Sequence, residues 1–128
     1  MKKLILKIDG IFLMVMGSIA ALADLAGYLS GKGPFGKVYY NNVVVIGGFE
    51  AHCLAVVLGF TLFAKHKSAD PIFFIKIAVV IHALLGISNL VWFKVFYETA
   101  TVPMGYIATI AHFAFVLLHT TAIYKGNK

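Results

Sequence analysis

IFFIKIAVVIHALLGISNLVWFKVF, residues 72–96, decides the fold. Among these 25 residues the only polar ones are Lys76, His82, Ser88, Asn89 and Lys94. A helix needs about 20 mostly apolar residues to cross a bilayer, and this run exceeds that. Lys76 and Lys94 lie within one or two turns of its ends, where a long stem can carry the ammonium out to the headgroups. Working outward, residues 4–29, 43–64 and 103–124 meet the same criterion. The reading is therefore all-α, an antiparallel four-helix transmembrane bundle in one domain.

The composition agrees. Of 128 residues 61% are apolar and 12% charged, against about 25% charged in a soluble domain. A globule this small leaves much of its surface in water and could not hide so much apolar surface. That argues against a cytosolic enzyme, a disulfide scaffold or a disordered tail. Cys53, the single cysteine, has no intrachain partner and reads as a small buried hydrophobe. The start, Met1-Lys2-Lys3 and an apolar run ending Ala21-Leu22-Ala23, imitates a secretory signal. Its length and the interrupting Asp9 favour a retained first span.

Punctuation separates the spans. Residues 30–36, with Gly31, Gly33, Pro34 and Gly36, read as a turn-rich loop. Lys65-His66-Lys67-Ser68-Ala69-Asp70 is short and polar, with Asp70 before Pro71 reading as N-cap and first helical residue. Thr101 and Pro103 open the fourth helix in a similar way. Lys2, Lys3, Lys7, Lys65, Lys67, Lys76, Lys125 and Lys128 fall on one side; Lys32, Lys37 and Lys94 fall on the other. There is no Arg, and the lysine bias places both termini in the cytoplasm. The positive charge thus sets topology rather than marking a nucleic-acid partner. Tyr28, Tyr39, Tyr40, Trp92, Tyr97 and Tyr106 gather near the outer interface and Tyr124 near the inner one. Gly31 to Lys37 fits G-x-x-x-x-G-K, but Val38 stands where a magnesium-binding hydroxyl is needed and no strand precedes it, so it reads as an outer hairpin.

Charged groups at membrane depth cost about 2.5–3.5 kcal/mol each even on the lenient insertion scale, which makes them site candidates. Each helix offers one seam of small and polar residues: Gly10, Met14, Gly17, Ala21, Asp24, Tyr28; Gly48, His52, Ala55, Gly59; Val79, His82, Gly86, Asn89, Phe93; and Gly105, Ala108, His112, Phe115, His119, Ala122. Small residues there let helices approach closely. At about 1.5 Å per residue, Glu50 lies roughly 10 Å, and His52 and His112 roughly 14 Å, from the outer ends of their helices. Asn89 has a similar depth, His82 is near the midplane, and Asp24 is close to the outer interface. These six are expected to converge in the outer half. His119 is deeper by about 10 Å and belongs to the inner half, and His66 is an interfacial residue in water. Glu50 and His52 are about 160° apart around their helix. They are expected to flank the inward arc, one toward each neighbour; the alternatives are that one faces a partner subunit or that the helix distorts at Gly47-Gly48.

A buried Glu beside imidazoles can share a proton, bind a cation or act as an acid/base pair. Three His and Glu50 could form a first-row metal shell, although no helix carries a H-x-x-x-H or E-x-x-H spacing. Haem would need two axial His on facing helices, and His52 with His112 could supply them. The plain alternative is interhelical hydrogen bonding without a ligand.

The second span, EAHCLAVVLGFTLFAK from Glu50 to Lys65, resembles the second span of DoxX-like four-helix membrane proteins, in which an acidic residue is followed by Leu and Gly positions and a basic end. Gly10 and Gly17 of the first span are also similar to that pattern. The resemblance implies a small bacterial inner-membrane protein, in some cases linked to quinone or thiol redox partners, with Glu50 as the position that carries over.

The expected function is a polar pocket binding a lipid-soluble small molecule, a quinone of a redox system among the candidates. Glu50, His82 and His112 would be catalytic, Glu50 accepting a proton and a His donating or relaying it. Asp24, His52 and Asn89 would bind the ligand. Three alternatives stand beside it: a membrane lipid isomerase, a non-enzymatic assembly subunit contacting itself or a membrane partner, and a proton or ion conductor joining His112 to His119.

Overall fold

The computed structural model describes residues 1–125; Lys128 of the lysine count lies outside them. All regular structure among these residues is helical: α1 Lys2–Ser30, α2 Gly36–Tyr39, α3 Val45–Lys65, α4 Pro71–Val91, α5 Phe93–Glu98 and α6 Val102–Tyr124. Four of them, α1, α3, α4 and α6, are long and apolar enough to cross a membrane. Their outward faces carry large apolar side chains such as Leu22, Ile107 and Leu117, each more than two-thirds exposed. In water such a surface would be a liability; in a bilayer it meets a solvent of its own kind.

Local chemistry sets the ends. The Asp70 carboxylate accepts from the Ile72 N–H at 3.1 Å, with Pro71 opening the helix where a missing N–H costs nothing. α1 ends on Gly31, at φ 68° in the left-handed region, and the Gly31 N–H closes onto the Gly27 carbonyl. The run 72–96 is not one helix. It breaks at Trp92, after which α5 turns back so that Phe93 packs on Tyr106, ring centroids 4.9 Å apart, and Phe96 covers Gly105. The rings of Phe93 and Phe96 are better placed folded over the start of α6 than extended along α4.

The main packing is pairwise, α1 along α3 and α4 along α6, and the two pairs meet over a narrower seam. Small residues make the first pair. A Cβ on Gly10 would lie 2.6 Å from the Phe63 nitrogen and 2.7 Å from the Gly59 carbonyl, and one on Gly17 would lie 2.8 Å from the His52 carbonyl. The two backbones therefore touch, as the glycine seams predict. Ile5, Leu6, Leu13, Leu62, Ile75, Ala78 and Ala122 bring all four long helices into one apolar cluster. Lipid tails are as apolar as leucine, so such contacts bring dispersion and fit rather than a hydrophobic driving force. Polar groups on the seam between the pairs consequently weigh more in the choice of partner.

Candidate functional site

That seam is joined by one carboxylate. Asp9 of α1 is fully buried, as are His82 of α4 and His119 of α6. Its Oδ1 lies 2.7 Å from His82 Nε2 and its Oδ2 lies 2.7 Å from His119 Nε2. His82 Nδ1 is in turn 2.9 Å from Nδ1 of His112, a half-buried residue of α6. Four ionisable side chains from three helices thus form one continuous hydrogen-bonded chain, His112–His82–Asp9–His119.

The donors follow from the geometry. With Asp9 ionised, both oxygens accept, so both Nε2 atoms carry hydrogen. Neutral His82 then has a lone pair on Nδ1, and His112 must donate its Nδ1–H to it. His119 is left with a bare Nδ1, a buried polar atom with no hydrogen-bond partner among the described residues. Phe115 stacks on His82 with ring centroids 4.8 Å apart and planes 15° from parallel, and Phe12 packs against Phe115. These rings hold the imidazole of His82 in place and exclude water.

A second pair lies farther along α1. Asp24, 2% exposed, accepts from Nδ1 of His52 on α3 at 2.6 Å. His52 is about one-third exposed. Tyr39 of α2 folds over this pair: a Cβ on Gly48 would lie 2.6 Å from its hydroxyl and 3.4 Å from Asp24 Oδ2. Burial first, and the Asp24 carboxylate second, push the Tyr39 phenol above its ordinary titration range.

The expected site is therefore rearranged. His82 and His112 meet, and Asp24 meets His52, but these are two separate groups. Asn89 is half-buried and joins neither. Glu50 is exposed on α3, which corrects the expectation that it flanks an inward arc. The contacts of His52 and Gly59 set the face that α3 turns to α1, and a position about 160° from His52 then points away. The centre is also not confined to the outer half. It includes His119, six residues before Lys125, and Asp9, in the third turn of α1.

Sequence reasoning passed over Asp9, treating it only as an interruption of the first apolar run. The signal was present. Leu13, Gly17, Ala21 and Asp24 follow Asp9 in steps of four, four, four and three, the spacing of one helix face, and a carboxylate at that depth is costly wherever it sits.

The cluster is filled by its own side chains. Two clefts open elsewhere: one of about 420 Å³ between α1 and α3, along Ser18, Leu25, Phe49 and half-buried Cys53, and one of about 450 Å³ at the start of α1. No residue of the network lines either. Asp9, His82 and His119 are also a donor set of the kind that holds a transition metal, with ligand atoms within 4.8 Å of one another. A cation at bond lengths of about 2.0–2.2 Å would take the place of the two protons now shared with Asp9, so metal and proton compete for the same position. The two histidines that could have served a haem are engaged elsewhere, His52 by Asp24 and His112 by His82. His66 donates its Nδ1–H to the Phe63 carbonyl at the end of α3 and takes no part in either group. No family model, curated protein or solved structure matches the chain.

Proposed function

We propose that this chain is an integral membrane protein of the bacterial inner membrane that takes up and relays protons through its core, with Asp9 as the proton-holding group. We place its helices antiparallel and both termini in the cytoplasm. The reversed register of α1 against α3, Gly10 on Gly59 and Gly17 on His52, and the lysine bias support that arrangement. The observation that carries the function is the unbroken chain from His112 to His119 through His82 and Asp9. A proton arriving at Nε2 of His112 lets its Nδ1 proton pass to His82. The Nε2 proton of His82 then passes to Oδ1 of Asp9, which becomes a neutral acid. Release on the far side requires the His119 ring to turn, and its unbonded Nδ1 leaves that edge unanchored.

The test is proton flux in liposomes containing a trapped pH indicator, driven by a potassium diffusion potential. Wild-type protein should dissipate the gradient faster than empty liposomes, and Asp9→Asn and His82→Phe should abolish the difference. Equal rates in wild type and Asp9→Asn would overturn the reading.

A second reading keeps a lipid-soluble ligand, such as a quinone of the redox partners that the DoxX-like resemblance implies. What favours it is the half-exposure of His112, the one network member that meets its surroundings. A quinone taking up electrons also takes up protons, and His112 would deliver them. Saturable binding of a quinone analogue that is lost in His112→Ala and kept in His52→Ala would support it; binding indifferent to His112 would remove it.

A further inference from the structure

We infer that the cleft at the start of α1 is a binding site for the phosphate of an anionic phospholipid. The cleft is open, has a volume of about 450 Å³ and is lined by Met1, Lys2, Lys3, Pro71, Ala122 and Lys125. Three lysines thus line the cleft where the first residues of α1, the first of α4 and the end of α6 come together. Among the described residues none of the three lysines forms an ion pair; the lysine that does is Lys94, bonded to Glu98 at 3.2 Å. No acidic side chain lines the cleft. The nearest in sequence, Asp70, is turned into its own helix and accepts from the Ile72 N–H. α1 enters without a side-chain cap, so its first N–H groups lack intrahelical partners and add the positive end of a helix dipole. Apolar walls beside the charges match the boundary between headgroup and acyl chain. Ala122, one of the lining residues, is fully buried, one turn beyond His119.

Charge complementarity selects the occupant. The cleft lies at the end of the bundle that carries most of the lysines, at headgroup level, where anionic phospholipids are the abundant phosphates. A basic pocket between transmembrane helices on the cytoplasmic side is suited to such a headgroup. Free phosphate shares the chemistry but would make no use of the apolar walls. This inference does not depend on the proton relay: it uses none of the four network residues.

The experiment measures the thermal unfolding midpoint of the protein in a neutral maltoside detergent during titration with dioleoyl phosphatidylglycerol, dioleoyl phosphatidylcholine or inorganic phosphate. Phosphatidylglycerol should raise the midpoint saturably and phosphatidylcholine should not. At roughly fivefold in affinity per lysine near the surface, K2Q/K3Q/K125Q should weaken the response about a hundredfold. K65Q/K67Q/K76Q removes the same charge away from the cleft and should respond as wild type does. Equal weakening in both triple variants would mean that bulk charge attracts the lipid and would overturn the site. Equal shifts with the two lipids, or a full shift with inorganic phosphate alone, would overturn the anionic phospholipid.

Discussion

Replacing Asp9 by Leu tests whether the carboxylate holds the two helix pairs together. The substitution is close in size, keeps α1 helical, and removes both acceptors at once. It strands two fully buried N–H groups, those of His82 and His119, now bonded at 2.7 Å each. In a soluble protein each stranded donor would cost about 1–3 kcal/mol, or roughly 2–6 kcal/mol together. In membranes the reference state also finds partners, and measured interhelical hydrogen bonds average about 0.6 kcal/mol with a ceiling near 1.7, or roughly 1–3 kcal/mol for two. The ranges overlap at about 2–3 kcal/mol, which is the expected loss. Asp9→Asn should lose about half of that, because the amide oxygen still accepts from one imidazole while its NH2 meets an N–H until one histidine changes tautomer. The assay is reversible unfolding in mixed micelles of mild detergent and dodecyl sulfate, followed by circular dichroism. His82→Leu should cost little more on the Asp9→Leu background than Asp9→Leu costs alone, because residues of one network are not additive. An Asp9→Leu protein within about 0.5 kcal/mol of wild type, the range of an unremarkable surface change, or strict additivity with His82→Leu, would refute the reasoning.

Other consequences follow from the same geometry. Gly10→Val should destabilise by about 2–3 kcal/mol, because the new Cβ meets backbone atoms of α3 that cannot swing aside; a fluorescence pair on α1 and α3 should report their separation, and unchanged spacing and stability would contradict the packing. Glu50→Gln should leave stability within about 0.5 kcal/mol, because its side chain is exposed, and a larger loss in the same micelle assay would place Glu50 in a contact with another copy. Tyr39 should ionise above its ordinary value of 10.0 in a near-ultraviolet titration compared against Tyr39→Phe, and Asp24→Asn should bring the midpoint part of the way back. For that phenol the unfolded chain releases its proton first. Stability through Tyr39 is therefore complete below its ordinary value and declines as pH rises from there through the folded midpoint; a midpoint at or below 10.0 would contradict the burial.

The spans were legible because a bilayer imposes a crude and demanding rule: about 20 apolar residues in a row, with charges pushed to the ends. The Asp70–Pro71 entry and the glycine seam on Gly10, Gly17 and Gly59 were legible for a similar reason, since capping and close approach depend on residue type at fixed local spacing. The break at Trp92 was not, because the rings of Phe93 and Phe96 that follow it pack on α6, outside their own segment.

Helix spacing alone says which residues share a face and how deep they lie. It could group His82 with Gly86 and Asn89, and Asp24 with Gly17. Which face meets which neighbour depends on how the four helices rotate about their axes, and that rotation is set by contacts between segments far apart in the chain: Gly10 on Gly59, and Phe115 on His82. Those contacts turned Glu50 outward and Asp9 inward, and brought His119 within 2.7 Å of a carboxylate 110 residues away in sequence. The amino-acid order determined that charged groups would be buried in this membrane protein; only the packing of the helices decided which carboxylate the histidines would share.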